Sequence, residues 1–240
     1  VLDTGTGTRI EHRAGERFAM CSTFKFLAAA NILARVDRKQ ESLDRRVRFS
    51  KDDLVRWSPV TEKRVGGEGM TMAEICEAAI TLSDNTAGNL QLASIGGPEG
   101  LTAFVRSLGD NITRLDRWET ILNEATPGDP RDTTTPTAML DNMHKILLGN
   151  VLSKPSRQQL VDWLIANKTS GKRFRAHLPT GWRLGDKTGT GDNGATNDIG
   201  IIWPPGRQPI LVAGYYAGSH ASDDQRNAIL AEVARIAAAI

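Results

Sequence analysis

Apolar positions change their spacing along the chain, and the changes divide it into strand, helix and strand territory. Residues 8–13 alternate loosely and read as a strand entering a turn at Ala14-Gly15. Over residues 22–166 the spacing is helical. Residues 26–36 form an apolar run too long for a strand, and Thr71-Met72-Ala73-Glu74 is a capping box opening a helix that runs into Thr81. Pro98 with Gly109, and Pro136 with Gly149, bracket two more helices, since proline suits the first helical turn and glycine the position past the last. Residues 158–166 complete the helical set. After Pro179 the period shortens, and residues 182–188, 197–203 and 210–216 read as three strands joined by Gly/Pro turns. A closing helix starts at Asp224, where Ile229, Val233, Ile236 and Ile240 have the spacing of one buried face. Strands at both ends and helices between them predict an α+β fold. Its antiparallel sheet with flanking helices is built from residues 1–20 and 167–240, and an all-helical domain, residues 21–166, is inserted into it. The interface of the two is the place for a site.

Composition removes several function classes. The 30 Lys and Arg against 28 Asp and Glu give no field for nucleic acid or an anionic membrane. No apolar run reaches the length of about eighteen residues that a membrane-crossing helix needs. No charged-then-apolar leader opens the chain, so a secretory signal, if one existed, has already been removed. Cys21 and Cys76 cannot make a disulfide framework and read as buried free thiols. The four histidines, His12, His144, His177 and His220, lack paired ligand spacing, so neither a metal nor another cofactor is expected.

Four short elements carry candidate chemistry. Ser22-Thr23-Phe24-Lys25 sets a hydroxyl and an amine three apart at the start of an apolar helix. That spacing puts them on one helix face, where the amine can take the proton of the hydroxyl and the helix N-terminus favours the developing alkoxide. Ser83-Asp84-Asn85 lies at a helix junction, with Ser83 suited to shuttle a proton to a leaving nitrogen and Asn85 to hydrogen-bond substrate. Lys187-Thr188-Gly189-Thr190 closes a strand. There Lys187 supplies positive charge, Gly189 allows close backbone approach, and the N–H groups of Thr190 and Ser22 can form an oxyanion hole. Glu119 and Asn123 sit four apart in a long irregular loop, residues 114–136, and can share one water between a general base and an orienting amide. Taken singly, each element has an ordinary reading: a helix cap, a polar turn, a hairpin entry and a solvated carboxylate.

Taken together, the S-x-x-K, S-D-N and K-T-G patterns, once each and in this order, resemble the signature of class A β-lactamases and penicillin-binding proteins. The likeness extends from about Arg9 to the C-terminus and is closest to the Pen-type chromosomal lactamases of Gram-negative bacteria. Residues 114–123 and 127–134 resemble the two halves of the family's omega loop. The resemblance implies a β-lactamase/transpeptidase-like fold, hydrolysis of penicillins and cephalosporins through a Ser22 acyl-enzyme, and release by a water that Glu119 activates. It further implies that Arg117 and Asp132 pair across the neck of the loop, that Asn89 braces it near a cis peptide after Glu119, and that Trp57 is an aromatic gatekeeper. Lys187, Thr188 and Thr190 then meet the substrate carboxylate. The family's usual arginine on the following strand is replaced by Ala195-Thr196-Asn197, and Arg173 matches an alternative position for it.

Further departures concern cysteine. The residue that commonly pairs with the equivalent of Cys76 is Ala29, and the carbapenemase partner of Cys21 is Gly191. A D-alanyl-D-alanine peptidase or transpeptidase, or a β-lactam sensor that stays acylated, shares the three motifs but lacks the Glu119–Asn123 base. The resemblance also implies a periplasmic monomer whose only partner is the small-molecule substrate. Residues 1–3 read as the tail of the first strand, so a helix that precedes it in the family is expected to be missing from this chain.

Overall fold

The structure is a computed structural model and describes residues 1–240. Helix α1 (Phe24–Asp37) is apolar all round and buried from Phe24 to Ala34, as a helix without a polar face must be. Ala28, Ala29, Ala30 and Ala34 leave room for neighbours to close on it. Around it pack α2 (Met72–Thr81), α3 (Asn85–Ser94), α4 (Gly97–Ser107) and α6 (Lys154–Ile165). The capping box forms as read: Thr71 Oγ1 accepts from Glu74 N, and the Glu74 carboxylate accepts from Thr71 N. Helix α5 (Pro136–Leu147) begins on its proline and lies against the sheet.

The sheet runs β1-β8-β7-β6, all antiparallel, from β1 (Leu2–Asp3), β6 (Arg183–Thr190), β7 (Thr196–Trp203) and β8 (Ile210–Tyr216). Two short ribbons pair β2 (Phe18–Ala19) with β5 (Thr133–Thr134), and β3 (Arg46–Val47) with β4 (Met70–Thr71). Side chains alternate faces along each strand. Ile199, Ile201 and Leu211 therefore join the helical core, while Leu184, Ile202, Ile210 and Val212 face the other way. That second face packs on Phe174 and on α7 (Asp223–Ala237).

Two expectations fail. Residues 8–13 are not a strand; Arg9 makes a single bridge to Leu2, and the sheet's first strand is Leu2–Asp3. Among residues 8–13 Ile10 is the one apolar side chain, and the segment has no buried face to fix a register. On α7, Val233 and Ile240 of the expected stripe pack half-buried against the core around Phe174, but the fully buried face belongs to Leu230, Ala231, Ala234 and Ala237. Ile229 and Ile236 are exposed and, with Val233, line a groove of about 380 Å³ between α7, β8 and residues 10–14. The stripe has helical spacing, but small alanines allow the close approach to the sheet.

Candidate active site

Ser22 lies in a 3-10 turn, Cys21–Thr23, that feeds directly into α1. One turn on, Lys25 Nζ donates to Ser22 Oγ at 2.9 Å, the consequence of i, i+3 spacing on one helix face. The same ammonium donates to Asn85 Oδ1 at 2.6 Å and to the Ser83 carbonyl at 2.9 Å, and stands 3.0 Å from Glu119 Oε1. It reaches these groups past Gly88 of α3, where a Cβ would come within 2.6 Å of Lys25 Cε. Burial pushes the Lys25 ammonium below its ordinary range, against the opposing pull of the Glu119 carboxylate. Ser22 Oγ in turn donates to Glu119 Oε1 at 3.2 Å.

Glu119 comes from the irregular loop, and its placement is over-determined. Asn89 Oδ1 accepts from Glu119 N at 2.9 Å, and Asn89 Nδ2 donates to Glu119 O at 3.1 Å. The Glu119–Thr120 peptide is cis. Asn123 Nδ2 donates to Glu119 Oε2 at 2.6 Å, while Asn123 Oδ1 is buried without a donor. At the neck of the loop, buried Asp132 accepts from Asp116 N and Arg117 N at 2.8 and 2.9 Å and from Arg117 Nε at 2.5 Å.

Ser83 stands across from Ser22, and Lys187 Nζ donates to Ser83 Oγ at 3.0 Å and to the Thr188 carbonyl at 2.7 Å. Burial first, and Lys25 second, push Lys187 well below the ordinary lysine range. Gly189 is needed for a reason within the protein itself. A Cβ there would lie 2.8 Å from Met20 O and 3.2 Å from Thr23 Cγ2, so the glycine lets β6 lie against the nucleophile's turn. Trp57 is 62% exposed and hangs at the rim, its indole N–H donating to Leu82 O at 3.1 Å.

Arg173 is not an open fork. Its Nη1 donates to Gly189 O and Asn197 O at 2.8 and 2.7 Å, its Nε to Asn227 Oδ1 at 2.8 Å, and its Nη2 to Thr190 Oγ1 at 2.6 Å. Four of the five guanidinium donors are engaged, so two parallel bonds to an incoming carboxylate are not on offer. The hydroxyl of Thr190, by accepting from Arg173, is left with its proton to give. Phe174, in the turn that follows, fixes this position by filling the second core.

These groups, drawn from α1, the α2–α3 junction, the loop and β6, converge on one hydroxyl. The family profile described as the β-lactamase enzyme family matches residues 1–240. The chain belongs to the class A β-lactamase family. It is 48% identical over 237 residues to the carbapenem-hydrolysing β-lactamase KPC of Klebsiella oxytoca, covering 98% of this chain and 80% of that one. β-Lactamase FAR-1 of Nocardia farcinica is 50% identical over 237 residues, covering 98% and 74%. Among solved structures, an ancestral class A β-lactamase is 64% identical with a TM-score of 0.98, covering 100% of this chain and 92% of that one. A chain described as class A β-lactamase PenP, from Rhodopseudomonas palustris, is 60% identical with a TM-score of 0.97 over 100% and 92% of the two chains. The Pen-type likeness and the α+β fold therefore stand.

Within this class A site two residues of the quoted motifs have supporting roles that the sequence did not assign. Asp84 accepts from Val60 N, Thr61 N and Thr61 Oγ1 while capping α3 through Ala87 N, all at 2.8–3.1 Å, and so fixes the Ser83–Asn85 junction. Asn197 Nδ2 donates to Ala19 O and Met20 O at 2.9 and 3.1 Å and holds the approach to the nucleophile. The signals were the acid in the middle of Ser83-Asp84-Asn85 at the α2–α3 junction and an amide in the otherwise apolar strand β7. Both cysteines are free and buried. Cys21 Sγ would lie 2.7 Å from a Cβ at Gly191, which makes the two positions neighbours as the resemblance implied.

Proposed function

We propose that the chain hydrolyses the β-lactam amide of penicillins and cephalosporins by two acyl transfers on Ser22, and so confers resistance to them. The observation that carries this is the Ser22–Lys25–Glu119 triangle, in which a nucleophile, an amine and a carboxylate meet within hydrogen-bond reach. Ser22 Oγ attacks the lactam carbonyl, and its proton passes either to Glu119, directly or through water, or to Lys25 after that ammonium has given a proton to Glu119. The N–H groups of Ser22 and Thr190 hold the oxyanion. Ser83 gives its proton to the departing nitrogen, oriented for this by accepting from Lys187. Water held between Glu119 and Asn123 then attacks the ester, with Glu119 as base; the donorless Asn123 Oδ1 suits the water's second hydrogen.

In this reading Asn85 meets the acyl side chain, Trp57 bounds the mouth, and Lys187, Thr188 and Thr190 hold the substrate carboxylate. Arg173 contributes by orienting the Thr190 hydroxyl and by its long-range charge. Asn89, Arg117 and Asp132 support the loop. The site lies between residues 21–166 and the pair of segments 1–20 and 167–240. No helix is long and apolar enough to cross a membrane. The reading puts a monomeric enzyme in the periplasm, with small β-lactams as its partners.

A chromogenic cephalosporin mixed with the purified protein tests the whole reading. Many turnovers per molecule are expected. One stoichiometric burst followed by silence would replace hydrolysis with a peptidase or a sensor.

A further inference from the structure

Asp186 on β6 and Asp198 on β7 are fully buried, on the face of the sheet turned away from Lys187. The faces follow from alternation: a Cβ at Gly185 would meet Leu164 of α6, and one at Gly189 would meet the nucleophile's turn, so Lys187 between them points to the helices. Leu184 and Asp186 point to the α7 side, where Leu184 packs on Phe174. The register pairs Asp186 with Gly200 and Thr188 with Asp198, which makes the two acids diagonal neighbours on that face.

Their hydrogen bonds leave one oxygen each without a donor. Asp186 Oδ1 accepts from Arg175 Nη2 at 3.1 Å, and Asp198 Oδ2 accepts from Phe174 N at 3.2 Å. Asp186 Oδ2 and Asp198 Oδ1 are buried and have no hydrogen-bond partner, and the register sets the two carboxyls beside each other on one face. Two buried carboxylates in contact cannot both ionise. One proton resolves the whole arrangement, because it supplies a donor on one orphan oxygen and uses the other as acceptor.

We infer that Asp186 and Asp198 share a single proton, carried on Asp198, and that the one charge left on Asp186 keeps Lys187 cationic and so sets affinity for the substrate carboxylate. The inference rests on the reading that Lys187 binds that carboxylate. The proton belongs to Asp198 because Asp186 accepts from the Arg175 guanidinium and has Ser170 and Asn167 beside it, while Asp198 accepts one backbone N–H and feels Arg173 only through its charge. Burial raises both acids, and Asp186 drives Asp198 up further. Lys187 is depressed by its own burial, by Lys25 from α1 and by Arg173 from the segment before β6; Asp186 and Asp198 oppose that shift through the strand. Arg175 pairs with Asp186 from that same segment, and the 3-10 turn packed on β6 brings Cys21. The pair acts through Lys187 and touches no substrate, which makes both acids positioning residues.

Two isosteric variants separate this from simple packing. In Asp198→Asn an amide N–H replaces the shared proton and the single charge survives, so kcat/KM for a penicillin should stay within about threefold of the parent. Asp186→Asn removes the charge. Its KM should rise roughly tenfold with kcat little changed. Lys187 would then lose its proton at lower pH, so the alkaline fall of kcat/KM should begin at lower pH in this variant alone. Equal damage and parallel pH profiles in the two variants would overturn the inference. Should Asp186→Asn not fold, infrared spectroscopy of the parent still decides. A protonated-carboxyl C=O band at neutral pH that disappears in Asp198→Asn supports the shared proton, and its absence from the parent overturns it. Lys187→Ala assayed beside them on a penicillin and its methyl ester isolates the other premise. Equal losses on the two would strike the carboxylate reading and leave the infrared result standing.

Discussion

Lys25 Nζ stands 3.0 Å from Glu119 Oε1, and neither side chain is open to solvent. This ion pair ties the helix entered at Ser22 to the loop that bears Glu119. Each partner would be an unpaired buried charge without the other, so the loop cannot leave the site cheaply. In the proposed mechanism that loop supplies the base for the hydrolytic water, and its Glu119 also lies within reach of the Ser22 proton.

Gly88→Ala should slow acylation without unfolding the protein. A Cβ at residue 88 would intrude to 2.6 Å from Lys25 Cε, and the ammonium beyond it is pinned by three acceptors and a carboxylate. A displacement on the order of 1 Å in a catalytic group can cost about 10²-fold. Stopped-flow acylation by a penicillin should show a loss of that order, with a melting curve that stays cooperative. An unchanged acylation rate would mean that Lys25 has slack the packing does not show.

Arg117→Ala should open the loop at its neck. Asp132 is fully buried and would keep its two backbone donors but lose its cation. Removing one partner of a buried pair costs about 3–5 kcal/mol, which denaturant titration can measure. Deacylation should suffer more than acylation, because Glu119 and Asn123 both hang from this loop. Stability within about 0.5 kcal/mol of the parent, the range of ordinary surface substitutions, would contradict this account of the neck.

Arg173→Ala should weaken penicillins about 2–10-fold in kcat/KM, the worth of one ordinary hydrogen bond, because the Thr190 hydroxyl loses the donor that orients it. The loss should lie toward the low end, since Lys187 remains. The methyl ester of the same penicillin should lose less. The variant should also melt earlier, because Gly189 O and Asn197 O each lose a donor. Identical losses on acid and ester would reduce Arg173 to a brace for β6 and β7.

What the sequence disclosed was local, and what it hid was set by tertiary contact. Ser22 and Lys25 are legible because one helical turn fixes their distance, Ser83 and Asn85 because they sit at a helix junction, and Lys187 because it opens the Lys187-Thr188-Gly189 pattern on a strand. Glu119 became legible through the loop around it rather than through any property of a lone glutamate. Asp186 and Asp198 lie within buried strands, and only the register between β6 and β7 makes them a pair. The same limit misled the reading of Arg173, whose free fork vanished once Gly189, Asn197 and Asn227 took its donors. It misled the reading of α7 too, where helical spacing suited the isoleucines but close packing selected the alanines.

Glu119→Ala treated with a penicillin tests the central claim most directly. Loss of a general base typically costs about 10²–10⁴-fold, and here the loss should fall on deacylation while Lys25 still serves the attack. Intact-mass spectrometry should find the variant carrying a long-lived penicilloyl adduct, and peptide mapping should place it on Ser22. An adduct mapped to Ser83, or turnover at the parent rate with no adduct at all, would contradict the mechanism.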